Sequence, residues 1–332
     1  MFCALTLGGN LTRVPLQENT RSTRRYGSEA RHLPQLASGK TPQQEEGVEY
    51  AAGYCAGVLL LGSALVRAAT GFDQGLVKFE TEHFLPIYRA LNEASVPFVI
   101  IGGQACALWS LRYQDRSPKL KQFFPYATRD LDFCATSKKD VTATAEALEV
   151  DPQFPRKRDA SQEIALLRYE LSDGAVIVQF LRGSYQLSAE KIIQRKQEFR
   201  WDKHGLVLSV MHPIHCLEDK LGLACRMDQS GRQDLRHLKM ALYFVPLFIT
   251  DALLNGGTDA SLGMCQHILK LAKSSRLGLQ CYRKHGVRIE RAIPAHVLAE
   301  NASGKLENFV MTQLPREPMT LEKLREKISR AS

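Results

Sequence analysis

The chain has 332 residues, 44% of them hydrophobic and 24% charged, the composition of an ordinary soluble protein that sets aside a membrane-embedded class. The length suits two domains or one large domain with appendages, and a net charge of +9 with a pI near 9.1 favours polyanionic partners such as nucleotides or RNA. Eight cysteines include no C-x-x-C and fall mostly in apolar stretches, which reads as free buried thiols in a reducing cytoplasm.

Residues 1–75 differ from the rest. The stretch 17–49 is polar and aperiodic and reads as disordered. Residues 51–66 are uncharged, but 16 residues rich in small side chains fall short of the ~20 a membrane span needs. They read as a helix packed on the domain or as an extension outside the native protein. Residues 76–94 follow as a helix whose apolar stripe includes Phe84, Tyr88 and Leu91. A buried strand at 98–101 runs into Gly102-Gly103, which opens a helix to about Tyr113. The spacer 114–127, with Lys119, Lys121 and two prolines, reads as a loop.

Thr128-Arg-Asp-Leu-Asp-Phe133 is the next strand. Side chains alternate across a strand, so Asp130 and Asp132 project from one face while Leu131 and Phe133 enter the core. Two aligned carboxylates can share divalent cations, and glycines at a helix N-terminus let backbone N–H groups approach a phosphate. The combination reads as a nucleotide triphosphate site, and Thr128 and Arg129, flanking the first carboxylate, are counted with Gly102 and Gly103 as nucleotide-binding. A solvated strand edge and an ordinary tight turn are the plainer alternatives.

A helix at about 138–149 precedes a hairpin: 164–172, the turn Asp173-Gly174, and 175–181. Asp-Gly between apolar runs is a strong hairpin signal. If 173–174 is the two-residue turn, 170 pairs with 177 and 168 with 179. Val176, Val178 and Phe180 then face the core, and Gln179, Glu170 and Arg168 share the other face. Residues 206–211 are another strand. Pro213–Met227 is a helix with Ile214, Leu217, Leu221 and Ala224 inward, and Lys220 stands beside that stripe. His212-x-x-His215-Cys216 has no second ligand pair, and Pro213 reads as the first residue of the helix, so zinc is set aside. Helices are expected at 258–275 and 320–330. The basic segment Arg276–Arg291 is either an RNA surface or a solvated face.

"IGGQACALWS", the spacer and "TRDLDF" resemble the nucleotidyltransferase (DNA polymerase β-like) superfamily, whose pattern is a Gly-Gly or Gly-Ser turn on a helix followed by an Asp-x-Asp strand. "LEDKLGLACRMDQSGRQDLRHL", with Lys220, Arg226 and Asp234, is similar to the downstream helices of bacterial AbiEii-type toxin nucleotidyltransferases. The resemblance spans roughly 76–245. It implies an α+β fold: a small mixed β-sheet core over 76–212, flanking helices, and a helical C-terminal domain over 213–332. It implies a Mg²⁺-dependent cytoplasmic enzyme that moves an NMP group from an NTP to a hydroxyl of tRNA, protein or a small molecule, in some members as the toxin paired with an antitoxin. Asp130 and Asp132 would hold metal, and Lys220 and Arg168 would meet phosphate. An aminoglycoside-type acceptor would want an acidic cleft where this chain is basic.

The superfamily's third carboxylate falls where this chain has Gln179. An amide can offer an oxygen to Mg²⁺ but cannot take a proton. Either Glu170 substitutes diagonally, or the activating metal is weak, or the strand is misaligned and both are surface residues. Loss of turnover would leave a nucleotide-binding or protein-interaction module. Arg226 and Asp234 divide similarly, between an ion pair bracing two helices and a role near phosphate.

Overall fold

The computed structural model describes residues 79–155, 162–274 and 276–314. The readings of 1–75, of the 51–66 segment and of the 320–330 helix lie outside them.

Six strands form one mixed sheet in the order β5-β6-β4-β2-β8-β7, where β2 is Val99–Ile100, β4 Asp130–Cys134, β5 Glu163–Leu171, β6 Gly174–Leu181, β7 Gln197–Trp201 and β8 Leu206–Val210. A second, two-stranded sheet pairs β1 (Phe79–Glu80) with β3 (Ala127–Thr128). Helices α1 (Leu85–Glu93), α2 (Gly102–Tyr113), α3 (Pro118–Lys121), α4 (Lys138–Ala147) and α5 (Ala189–Gln194) lie between strands. From residue 213 every described element is helical: α6 (Pro213–Arg226), α7 (Asp234–Leu254), α8 (Thr258–Leu269), α9 (Arg276–His285), α10 (Ala295–Glu300) and α11 (Gly304–Thr312), with short 3₁₀ and π turns between. This is the expected α+β architecture of a mixed sheet with flanking helices.

The apolar patterning accounts for the layers. Leu131 and Phe133 of β4 and Val176, Val178 and Phe180 of β6 are fully buried in one core with Ala165 and Leu167 of β5. Trp109 of α2 ties the sheet to the helices: its indole N–H donates to Met211 O at 2.8 Å, and its ring meets Phe199 of β7 and Phe248 of α7 edge-on. Helix α4 starts with a capping box in which Ser137 and Asp140 satisfy each other's backbone N–H. Pro213 opens α6, and His212 Nδ1 accepts the Ile214 N–H at 3.1 Å as its cap. Helix α7 is long and apolar enough to cross a membrane by length and composition, yet it packs along α6 and α2, burying Leu238, Ala241, Phe244 and Val245 among them.

Several expectations are corrected. Residues 79–84 are a strand and a 3₁₀ turn rather than the start of a helix, because Phe79 and Glu80 find partners in Thr128 and Ala127. The spacer contains α3 and is tied down: the Arg236 guanidinium donates to Phe123 O and Pro125 O, and Tyr126 Oη donates to Leu120 O. Strand β7 had no sequence signal of its own. The helix at 258–275 stops being α-helical at Leu269 and continues as a π turn.

The largest correction is the hairpin. Leu171 pairs with Gly174, so the loop is Ser172-Asp173 and not Asp173-Gly174. Gly174 has φ +132°, and that conformation is placed in the first residue of β6, not in the turn. The slip moves every partner by two. A two-residue slip preserves the faces but changes the neighbours: Gln179 lies opposite Leu166, Arg168 opposite Ile177, and Glu170 opposite Ala175.

Candidate functional site

Asp130 and Asp132 stand on the β4 face away from the core, both half-buried, with Leu131 and Phe133 buried behind them. Strand β4 runs parallel to β6, and the register sets Asp130 against Ile177 and Asp132 against Gln179. Residue 179 is therefore the direct neighbour of the second carboxylate.

Helix α2 begins over this pair. Gly102 has φ +67°, and a Cβ there would lie 2.2 Å from Asp132 Oδ2. The Ile101 N–H donates to Asp132 O at 2.9 Å, so the strand and the helix start are stitched together. The carboxylate thus sits at the positive end of a 12-residue helix, where orphan N–H groups and the macrodipole favour negative charge. A Cβ on Gly103 would come within 2.8 Å of His237 Cε1 and 3.1 Å of Thr128 Cγ2. Each glycine is required by a close approach, one to the carboxylate and one to a ring of α7.

One His inside an apolar helix has no distinguishing pattern, so nothing in the sequence marks His237. Burial, reinforced by the nearby Lys220 cation, lowers its pKa to about 3, so the ring is neutral. Lys220, read from sequence as a phosphate ligand or an exposed lysine, is buried: Nζ lies 3.1 Å from Asp234 Oδ1 and 3.5 Å from Asp219 Oδ2. Burial alone would depress the ammonium's pKa, but the two carboxylates outweigh it and raise it. Asp234 also receives Arg232 Nε at 2.7 Å, and these cations hold its carboxyl below the usual range against the upward effect of burial. Two carboxylates and two cations balance beneath the start of α7. Asp234 is thus in a helix-bracing ion pair, and Arg226 donates to Tyr185 Oη and stacks on its ring.

Thr128 Oγ1 lies 3.0 Å from Asp130 O and 3.3 Å from Gln104 Oε1, bracing β4 to α2, while Arg129 is exposed. Glu170 and Arg168 form an exposed ion pair at 2.7 Å. Glu170 sits beside Ala175, four residues from Gln179 along β6, or about 13 Å at strand rise. The diagonal pairing of Glu170 with Gln179 does not form.

Another acid takes that place. A β-bulge between Glu163 and Ala165 sets Glu163 opposite Leu181. One extra residue reverses the alternation, bringing Glu163 onto the Gln179 face. Gln179 Nε2 donates to Glu163 Oε2 at 2.6 Å, with both side chains buried. Glu163 escapes sequence reading because simple alternation from Ala165 and Leu167 puts it in the core.

The donor set fits a hard cation. Two carboxylates and an amide oxygen are oxygen ligands, and Mg²⁺ is commonly held by one or two carboxylates together with substrate phosphates and water. Among the described residues no group of three His, Cys, Asp or Glu is placed to hold a metal; Asp130 and Asp132 are the two carboxylates that this strand face offers one.

No protein-family profile matches the chain, and no curated protein matches it in sequence. Among solved structures it is similar to an antigenic nucleotidyltransferase-like protein from Paracoccidioides brasiliensis, at 13% identity and a TM-score of 0.35, over 50% of this chain and 78% of that one. A similarity that low carries no functional weight.

Proposed function

We propose that this chain is a metal-dependent nucleotidyltransferase, moving an NMP group from an NTP to an acceptor hydroxyl. The observation that supports it is the placement of Asp132: on one strand face with Asp130, and directly beneath the N-terminus of α2 at Gly102. In this reading Asp130 and Asp132 hold Mg²⁺, which when bound neutralises the triphosphate and acidifies the attacking hydroxyl. The first-turn amides of α2 receive phosphate oxygen. Lys220 keeps α6 and α7 together, leaving phosphate contact to the helix terminus and the metal. Gln179 lends an oxygen but accepts no proton, so transfer is slow.

The acceptor class follows the charge. A basic chain with α9 carrying Arg276, Arg283, Lys284 and His285 suits tRNA better than a cationic small molecule, with a protein hydroxyl as the other acceptor. A cytoplasmic toxin held by an antitoxin is the biological setting this chemistry would serve. The test incubates purified protein with each labelled NTP, Mg²⁺ and either total RNA or lysate. Label should move to a macromolecule in the wild type and not in Asp132→Asn. Metal-dependent binding of NTP with no transfer to any acceptor would favour the second reading, a nucleotide-binding module disabled at Gln179.

A further inference from the structure

We infer that Glu163 is a positioning residue for the metal site, acting on it through Gln179. The inference rests on the nucleotidyltransferase reading and identifies how this chain manages without a carboxylate at 179.

An amide has two chemically different ends, and hydrogen-bond partners decide which way it faces. Glu163 Oε2 lies 2.6 Å from Gln179 Nε2, so the nitrogen end is turned to the carboxylate. What residue 179 offers to a cation shared with Asp132, its parallel neighbour, is then the oxygen. A charge-assisted bond to the N–H end also polarises the amide and enriches that oxygen in electron density. This is the relation that a carboxylate has to a metal-bound histidine, transposed to an amide.

Two observations make the arrangement specific. Glu163 reaches this face only because the chain inserts a bulge between 163 and 165. The bond is also buried, with Glu163 5% and Gln179 7% exposed, and an acidic side chain is rarely kept so far from water without a partner. Glu163 does not complete a three-carboxylate site with Asp130 and Asp132: among the described residues no three His, Cys, Asp or Glu side chains come together to hold a metal. Its influence runs through the amide. Together the two residues present an oxygen backed by a negative charge, as a carboxylate at 179 would.

The test measures the Mg²⁺ concentration needed for half-maximal binding of each of the four NTPs, by calorimetry, alongside thermal melting. Glu163→Gln should raise that concentration by about 10–100-fold, the scale for loss of an outer-shell partner. Adding Gln179→Asp to it should restore the wild-type requirement, since a carboxylate needs no orienting. A lowered melting temperature with an unchanged metal requirement would make the bond merely structural and overturn the inference. If Glu163→Gln fails to fold, Gln179→Asn replaces it: the amide is kept but is one methylene too short to span both partners, and an unchanged metal requirement there overturns the inference equally. Wild-type protein that binds no NTP at any Mg²⁺ concentration would instead overturn the nucleotidyltransferase reading on which it stands.

Discussion

Asp132 Oδ2 occupies the space that a side chain on Gly102 would need, 2.2 Å from where its Cβ would be. The helix start and the carboxylate are therefore one unit. Gly102→Ala meets two penalties: a left-handed backbone costing about 1–2 kcal/mol for a residue with a Cβ, and displacement of the carboxylate. Metal-dependent NTP binding should be lost in Gly102→Ala under conditions where circular dichroism still reports folded protein. Binding equal to wild type would separate α2 from the site.

Asp130→Asn and Asp132→Asn should each abolish metal-dependent NTP binding while leaving the melting temperature within a few degrees. Both acids are half-buried on the face away from the core, so neutralising them removes negative charge from the candidate site and little packing. Calorimetry with and without Mg²⁺ checks the first half, and thermal melting the second.

Asp234→Asn should destabilise the fold strongly. It leaves the buried Lys220 ammonium with Asp219 alone at 3.5 Å, and breaking a buried pair typically costs about 3–5 kcal/mol. Urea denaturation at neutral pH measures it. The contribution has a pH window: Asp234 is depressed in the fold, so its stabilisation is present above the unfolded carboxyl value near 4 and is lost as pH falls through the folded value.

Acid sensitivity should begin earlier than that, because of histidines. Burial depresses His237 and His212 to about 3 and His215 to about 4. Below the unfolded value near 6.5 the unfolded chain takes up protons that these folded rings refuse, so stability held above that pH is lost on acidification. For His237 alone the loss is about 2 kcal/mol at pH 5. The urea midpoint should fall between pH 7 and pH 5, and by less in His237→Gln. An identical fall in both proteins would remove His237 from the account.

Glu170→Gln should leave nucleotide binding, transfer and melting temperature unchanged. Its partner Arg168 is exposed beside it, and such pairs contribute about 0–1 kcal/mol. Loss of transfer in this variant would reinstate Glu170 as a site residue.

Local features were legible in the residues alone. Alternation in Asp130-Leu-Asp-Phe133 assigned the carboxylates to one face, because the period of two belongs to the strand and needs no partner. Pro213 opening α6 and Gly102-Gly103 opening α2 were legible for the same reason, since both depend on backbone conformations of single residues. Register and pairing came from the packed fold. Whether Asp173-Gly174 or Ser172-Asp173 forms the turn depends on whether Gly174 sits in the turn or pairs with Leu171, and the whole β5–β6 ladder sets that. The bulge at Glu163 is invisible to alternation because it breaks alternation, and so alternation points to Glu170 and not to the acid that meets Gln179. His237 and Lys220 became neighbours of the site only when α6 and α7 packed on α2, contacts between segments more than a hundred residues apart from Gly103 that no local spacing encodes.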